Sequence, residues 1–286
     1  MKDKMKLEVF SDKKHILAET PFYDSRYKVI SWVDILGEKL YLLDSHNKLK
    51  EIKFNERISA AIPLKRSNGY LVCGTKHLFT YENNEIKVLE KLDNITDETM
   101  RCNDAKADPF GRLWFSTMVD DGIHTPSGAL YCYCNKEFIC MQENTKIGNG
   151  MAWNSKADKF FYADSVEHKV YVYDYDIDTG YISNRKVLFE IHDGSPDGMI
   201  IDKDDNLFVC IWDGSRVEVR SSKTGILKRV IDIPTKLVTS CAFIGDKLDN
   251  LLITTASLDN TDKFSGNIFK IHLDYVGKEC DYIKIY

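Results

Sequence analysis

Three stretches of this 286-residue chain repeat one another at spacings of 46 and then 48 residues. They open with Asn103-Asp104-Ala105, Asn149-Gly150-Met151 and Asp197-Gly198-Met199. Five residues after each opening comes Asp108, Asn154 or Asp202, then a turn, then a largely apolar strand: Leu113-Trp114-Phe115, Lys159-Phe160-Phe161 or Leu207-Phe208-Val209. The same frame laid on Glu19, 84 residues or two units before Asn103, puts Asp24 at the fifth place and Val29-Ile30-Ser31 in the strand. A period of this size with several short strands per unit is the signature of propeller blades, because one unit cannot bury its own apolar faces and must stack on the next. At a period near 46, a chain of 286 residues holds about six such units. A weaker unit near Ala60 to Gly74 supplies the second blade, and Thr239 to Ser257, with Leu251-Leu252-Ile253-Thr254 as its strand, supplies the sixth.

The rest of the chain agrees with an all-β reading. Short β-rich runs bounded by turn residues recur at Lys28 to Asp34, Leu40 to Asp44, Gly69 to Cys73, Leu113 to Thr117 and Ala129 to Tyr133, and long helical periodicity is absent. No linker rich in Pro, Gly or Ser interrupts the series, so the expectation is one six-bladed β-propeller domain over residues 1–286. The competing architecture is a β-sandwich with extra strands, which the regular period disfavours. A ring of open sheets must close, since unpaired edges invite aggregation. The run Leu7-Glu8-Val9-Phe10 is placed to pair beside the last strands, Gly266 to Ile271 and Tyr282 to Tyr286.

Composition narrows the partners. A hydrophobic fraction of 43% with 29% charged residues is that of a globular chain able to bury a core. A net charge of −5 argues against nucleic acid, which needs a concentrated basic face. The N-terminal residues lack the apolar run and cleavage site of a signal peptide, and no segment approaches the roughly 20 apolar residues that span a bilayer, so a cytoplasmic protein with no membrane partner is expected. The eight cysteines are scattered without a C-x-x-C pair and read as free thiols, with Cys132 and Cys134 on one face of a strand. Oligomeric state is open at this level.

In a propeller the innermost strand of every blade lines the central channel, so residues in register converge on the axis. The opening positions carry Glu19, Asn103, Asn149 and Asp197, two carboxylates and two amides. Such a set offers hard oxygen ligands to one divalent cation, with Ca²⁺ the first choice and Zn²⁺, Mn²⁺ or Mg²⁺ as alternatives. The blander explanation is that these residues cap turns, as Asn and Asp beside Gly often do; Glu19, a poor turn former, argues against it. Asp174-x-Asp176-x-Asp178 begins like an EF-hand loop, but the glycine is displaced to Gly180 and the twelfth position is Arg185, so Asp176 to Tyr181 reads as a hairpin turn. His124, in the loop Asp120 to Ser127, is a candidate proton carrier or an ordinary solvated histidine.

These segments resemble the family of senescence marker protein (regucalcin), gluconolactonase and luciferin-regenerating enzyme, from about Leu17 to Ile271. The most specific pieces are Arg101-Cys102-Asn103-Asp104-Ala105-Lys106-Ala107-Asp108-Pro109, Gly111-Arg112-x-Trp114, Thr117-Met118, Asn149-Gly150 and Pro196-Asp197-Gly198-Met199. The resemblance implies a six-bladed propeller with an axial divalent metal. It implies Glu19, Asn149 and Asp197 as protein ligands, Asn103 beside the metal holding substrate or water, and Arg101 facing substrate. Asp121 sits where relatives often have a sugar-binding Glu. Ala105, Asp213-Gly214 and Ile244-Gly245 depart from the usual glycines without removing a ligand. The function expected is metal-dependent hydrolysis of a small sugar lactone, with Asp197 as general base and Arg101, Asn103 and Asp121 binding substrate. The rivals are a metal-dependent esterase or phosphotriesterase, and a calcium-binding or scaffolding propeller without turnover.

Overall fold

The computed structural model describes residues 6–120, 127–258 and 262–285. Its strands form six antiparallel sheets of four. The first five blades each take four consecutive strands, and their innermost strands are Ala18–Asp24, Ile58–Pro63, Met100–Ala107, Gly148–Trp153 and Ser195–Ile201. The sixth begins with Val238–Ile244, continues through Asn250–Thr255 and Ile268–His272, and takes its outermost strand, Glu8–Ser11, from the N-terminus. Val9 pairs with Phe269 across that seam. The ring is therefore closed by main-chain hydrogen bonds between the two ends of the chain, and the six-bladed expectation holds.

The other half of the closure expectation does not. Tyr282 to Ile285 form no strand of the sixth blade; the segment crosses to other blades instead. Ile283 bridges Leu64 of the second blade, its amide donating to Pro63 O at 3.0 Å. Lys284 N donates to Gly111 O of the third blade at 2.9 Å. An outermost position already filled by Glu8–Ser11 leaves this second segment no edge to join.

Burial follows the strand's place in its blade. Inner strands are packed on both faces, so Ile58–Pro63 and Val238–Ile244 are buried throughout. Outer strands such as Glu85–Lys91 are mostly exposed. The apolar clusters lie between neighbouring blades: Phe208, Cys210 and Val217 of the fifth pack on Cys241, Phe243 and Leu251 of the sixth. Between the third and fourth, the rings of Trp114 and Phe160 lie 5.0 Å apart. All eight cysteines are free, and no helix among the described residues is long and apolar enough to cross a membrane.

The repeated Asp or Asn at the fifth place is a turn cap. Asp108 Oδ1 accepts from the amides of Phe110, Gly111 and Arg112 at 3.0, 2.8 and 2.9 Å. Asp202 Oδ1 does the same for Asp204 and Asn206, Asn154 Oδ1 for Asp158 and Lys159, and Asp24 Oδ1 for Arg26. The side chain thus fixes the turn out of the inner strand in these four blades, the local reason for the repeat. The EF-hand-like triplet is a hairpin: Asp176 Oδ1 caps Thr179 N at 2.8 Å between Lys169–Tyr175 and Ile182–Glu190.

His15 closes the seam between first and sixth blades. It is fully buried; Nδ1 donates to Gly266 O at 3.0 Å, and Nε2 accepts from Trp32 Nε1 at 3.0 Å. Burial holds its pKa below the ordinary value of 6.5, against weaker upward pulls from Gly266 and Asp34. A depressed histidine contributes stability that is intact above 6.5 and lost as pH falls below it, because only the unfolded chain takes up the proton readily. His15→Gln should therefore narrow the drop in Tm between pH 7.5 and 5.5. An equal drop in variant and parent would show that this imidazole does not govern acid stability.

Candidate metal centre

The inner strands share one irregularity. Pairing with the second strand slips between Glu19 and Phe22, Ile58 and Ala60, Cys102 and Ala105, Asn149 and Met151, Pro196 and Met199, and Val238 and Cys241. A bulge re-aims side chains that a regular ladder would direct sideways into the sheet. Here it recurs at the same level of all six blades and contains or adjoins Glu19, Asn103, Asn149 and Asp197. In the second and sixth blades the bulge carries Ser59 and Thr239-Ser240 instead. Thr239 Oγ1 is spent on Ala18 O at 2.6 Å, so it ties blades together rather than facing the axis. The backbone tightens here: Gly150 has a φ of 21°, and a Cβ on it would lie 2.5 Å from Asp197 O. A Cβ on Gly198 would lie 2.6 Å from Ser240 Cβ. A side chain at Gly150 would push the fourth blade away from the fifth, and one at Gly198 would push the fifth away from the sixth.

Glu19, Asn149 and Asp197 are each buried, at 7%, 6% and 5% exposure, too deep for free carboxylates to be stable without a counter-charge. Burial first, then the negative charges of Glu19 and Asp104, pushes the Asp197 carboxyl well above the carboxylate range. Glu19 is raised by burial and by Asp104, and held down in part by the Thr20 amide, which donates to Oε2 at 2.9 Å, and by Arg101 and Lys106. Asp197 Oδ1 is buried and has no hydrogen-bond partner. Asn149 Nδ2 donates to Ser165 Oγ at 3.0 Å, which itself donates to Pro196 O at 2.7 Å. That fixes the Asn149 amide.

Asn103 differs from the other three. Its Oδ1 accepts from Arg101 Nη1 at 2.8 Å and its Nδ2 donates to Gly148 O at 2.9 Å. Both ends of the amide are engaged by protein, whereas Asp197 keeps a bare oxygen. The Arg101 guanidinium is buried, which lowers its pKa. Nη1 also donates to Cys102 O at 3.1 Å, and Nε has no hydrogen-bond partner. Asp121 and His124 lie outside the described residues.

Two residues had no assigned role in the sequence and matter here. Asp104 is 3% exposed and its pKa is raised to about 6 by burial, opposed by Lys106 and by the Ala105 amide donating to Oδ1 at 2.7 Å. Lys106 runs beneath this layer and donates to Met151 O at 3.0 Å and to Met199 O, so its ammonium joins the third, fourth and fifth blades. Both stood in the Asn103-Asp104-Ala105-Lys106 motif, but the bulge decides where they point. Among the described residues no three of His, Cys, Asp and Glu form a metal cage. The axial set is instead two carboxylates with a fixed amide, and Asp104 acts on it through its charge. Such a set, with one bare buried carboxylate oxygen, fits a hard divalent cation.

A profile of the SMP-30/gluconolactonase/LRE-like region matches residues 17–257. A protein of Bacillus subtilis (strain 168), YvrE, named as a candidate sugar lactone lactonase, is 31% identical over 93% of this chain and 94% of its own. Among solved structures, luciferin-regenerating enzyme superposes with a TM-score of 0.93 at 29% identity, covering 99% of this chain and 100% of that one. Regucalcin of Agrobacterium tumefaciens, titled a calcium-binding protein, superposes with a TM-score of 0.91 at 20% identity over 98% of both, a likeness of fold. By the extent of that match this chain is a member of the SMP-30/gluconolactonase/LRE-like family.

Proposed function

We propose that this protein is a metal-dependent lactonase, a single-domain cytoplasmic propeller that opens small sugar lactones with one divalent cation held by Glu19, Asn149 and Asp197. The observation that carries this reading is the bare, buried Asp197 Oδ1, with the charge of Glu19 acting on it and Arg101 acting in turn on Glu19. A purely structural ion needs no buried guanidinium beside it, whereas a guanidinium can orient a bound carbonyl. Ca²⁺ suits the hard oxygen set best, with Zn²⁺, Mn²⁺ and Mg²⁺ as competitors. When bound, the cation neutralises the carboxylates and supplies Lewis-acid polarisation of the lactone carbonyl.

The chain's own groups supply the rest. The Asp197 carboxylate accepts a proton from the attacking water as the water oxygen bonds to the carbonyl carbon. The ring C–O bond then breaks, and the ring oxygen leaves as a hydroxyl after taking a proton back. Arg101, its Nη1 shared with Asn103, orients the carbonyl and ring hydroxyls, and Asn103 is in turn fixed by Gly148 O. Asp121 contributes a further hydroxyl contact.

Lactones, carboxylic esters and phosphotriesters assayed with each of the four cations, and with EDTA, test the proposal. Lactone hydrolysis should require cation and exceed the other two classes. Arg101→Ala should lower kcat/KM for lactones by roughly 10- to 100-fold, as expected for loss of a charged hydrogen bond, while cation affinity stays constant. A parent that binds Ca²⁺ yet hydrolyses none of these compounds would leave a calcium-binding propeller without turnover.

A further inference from the structure

A second charged layer lies below the candidate ligands. Lys106, on the inner strand of the third blade, reaches across so that its ammonium donates to Met151 O at 3.0 Å and to Met199 O. Those carbonyls belong to the inner strands of the fourth and fifth blades, each two residues beyond Asn149 or Asp197. At the rise of a β-strand this places them within about 7 Å of the backbone that bears the ligands. On its other side Lys106 lines a cavity of about 90 Å³ between the inner strands of five blades, bordered by residues 278–281 of the C-terminal segment. The ammonium therefore sits on the propeller axis, between the ligand layer and the far end of the channel.

The charges around it can be counted. Three buried carboxylates, Glu19, Asp104 and Asp197, share the axial layer, and Lys106 is the cation that acts on both Glu19 and Asp104. Arg101 faces Asp120 at 3.5 Å and Lys278 is paired with Asp281 at 3.3 Å, so each of those pairs is neutral by itself. Three negative charges with one positive leave a net charge of −2, which a divalent ion cancels and a trivalent ion overshoots. Burial lowers the Lys106 pKa and Asp104 pulls it back up, while the two carbonyl acceptors suit the ammonium form. Without that ammonium the balance would favour a trivalent ion.

We propose that Lys106 tunes the axial site to a divalent cation, its fixed positive charge holding trivalent ions back. The proposal rests on the axial-cation reading above. The experiment is calorimetric titration, at pH 7, of the parent, Lys106→Met and Lys106→Gln with CaCl₂ and with TbCl₃, a redox-inert trivalent ion of similar size. Both cations displace the same protons from the carboxylates, so the ratio of their affinities reports the fixed charge. One unit of charge about 7 Å from a bound ion changes that ratio roughly threefold at the dielectric of water, and more in a buried site. The Tb³⁺/Ca²⁺ affinity ratio should thus rise at least about threefold in both variants. It should fall by a similar factor in Asp104→Asn, and return toward the parent value when Asp104→Asn is combined with Lys106→Met. Lys106→Gln keeps a donor for the two carbonyls and serves where Lys106→Met does not fold. A Lys106 that only ties the blades together would weaken both cations in proportion and leave the ratio where it was. That result, with the fold intact by circular dichroism, overturns the proposal. A parent that binds neither cation refutes the axial cation itself, an outcome distinct from a parent that binds Ca²⁺ with a ratio that Lys106 does not move.

Discussion

Asp197→Asn is expected to cost the protein its cation affinity and its turnover together, while making the cation-free fold more resistant to heat. The substitution keeps the shape of the side chain and removes one charge from a buried group whose nearest ionised neighbours, Glu19 and Asp104, are also negative. In the cation-free protein that charge is a liability: it must be desolvated, repelled or neutralised by a proton. Its removal relieves all three. With the cation present the sign reverses, because a hard divalent ion loses one of its two charged ligands and keeps Glu19 with a neutral amide. Loss of the general base adds a rate penalty of roughly 10²–10⁴. Calorimetric titration with Ca²⁺, melting in EDTA, and lactone kinetics together read the three effects. Unchanged Ca²⁺ affinity would remove Asp197 from the ligand set, and retained kcat would remove it as base.

This opposition explains why the site is legible in sequence only in part. The frame was readable because four of the six blades repeat a turn cap, Asp24, Asp108, Asn154 or Asp202, five residues from the opening position, and a cap's spacing is fixed by local backbone geometry. The frame also put Glu19, Asn103, Asn149 and Asp197 at one level. It could not separate them, because the difference lies in side-chain hydrogen bonds between elements: Arg101 and Gly148 take both ends of the Asn103 amide, and nothing takes Asp197 Oδ1. Asp104 and Lys106 were visible as letters, but their directions follow from a bulge that opens between Cys102 and Ala105, and bulges leave little trace in hydrophobic alternation. The tail from Tyr282 misled for a different reason. Its alternating apolar residues suit a strand, yet the blade edge it would join is filled by Glu8–Ser11, a competition settled only in three dimensions.

The stability gained on adding Ca²⁺ should grow with pH, and the direction follows from the same carboxylates. Glu19 and Asp197 have folded pKa values raised above their ordinary 4.5 and 3.8, mainly by burial. Below those ordinary values both folded and unfolded chains are protonated and nothing is lost. As pH climbs through them the unfolded chain releases protons that the folded, cation-free protein retains, so stability falls until the folded groups ionise too. A cation competes with those protons for the same oxygens, so its affinity is weakest in acid and rises as the carboxyls lose their protons. At pH 8 and a concentration 100 times Kd, binding to the folded state alone contributes about 2.7 kcal/mol. For a chain of this size that corresponds to a Tm increase of roughly 4–5 °C. At pH 5 the same Ca²⁺ concentration should give a much smaller shift, and Asp197→Asn should show little shift at either pH. Melting curves in CaCl₂ and in EDTA at pH 5, 6.5 and 8 provide the check. A shift that is equal at all three, or largest at pH 5, would mean that the cation binds somewhere other than the axial carboxylates.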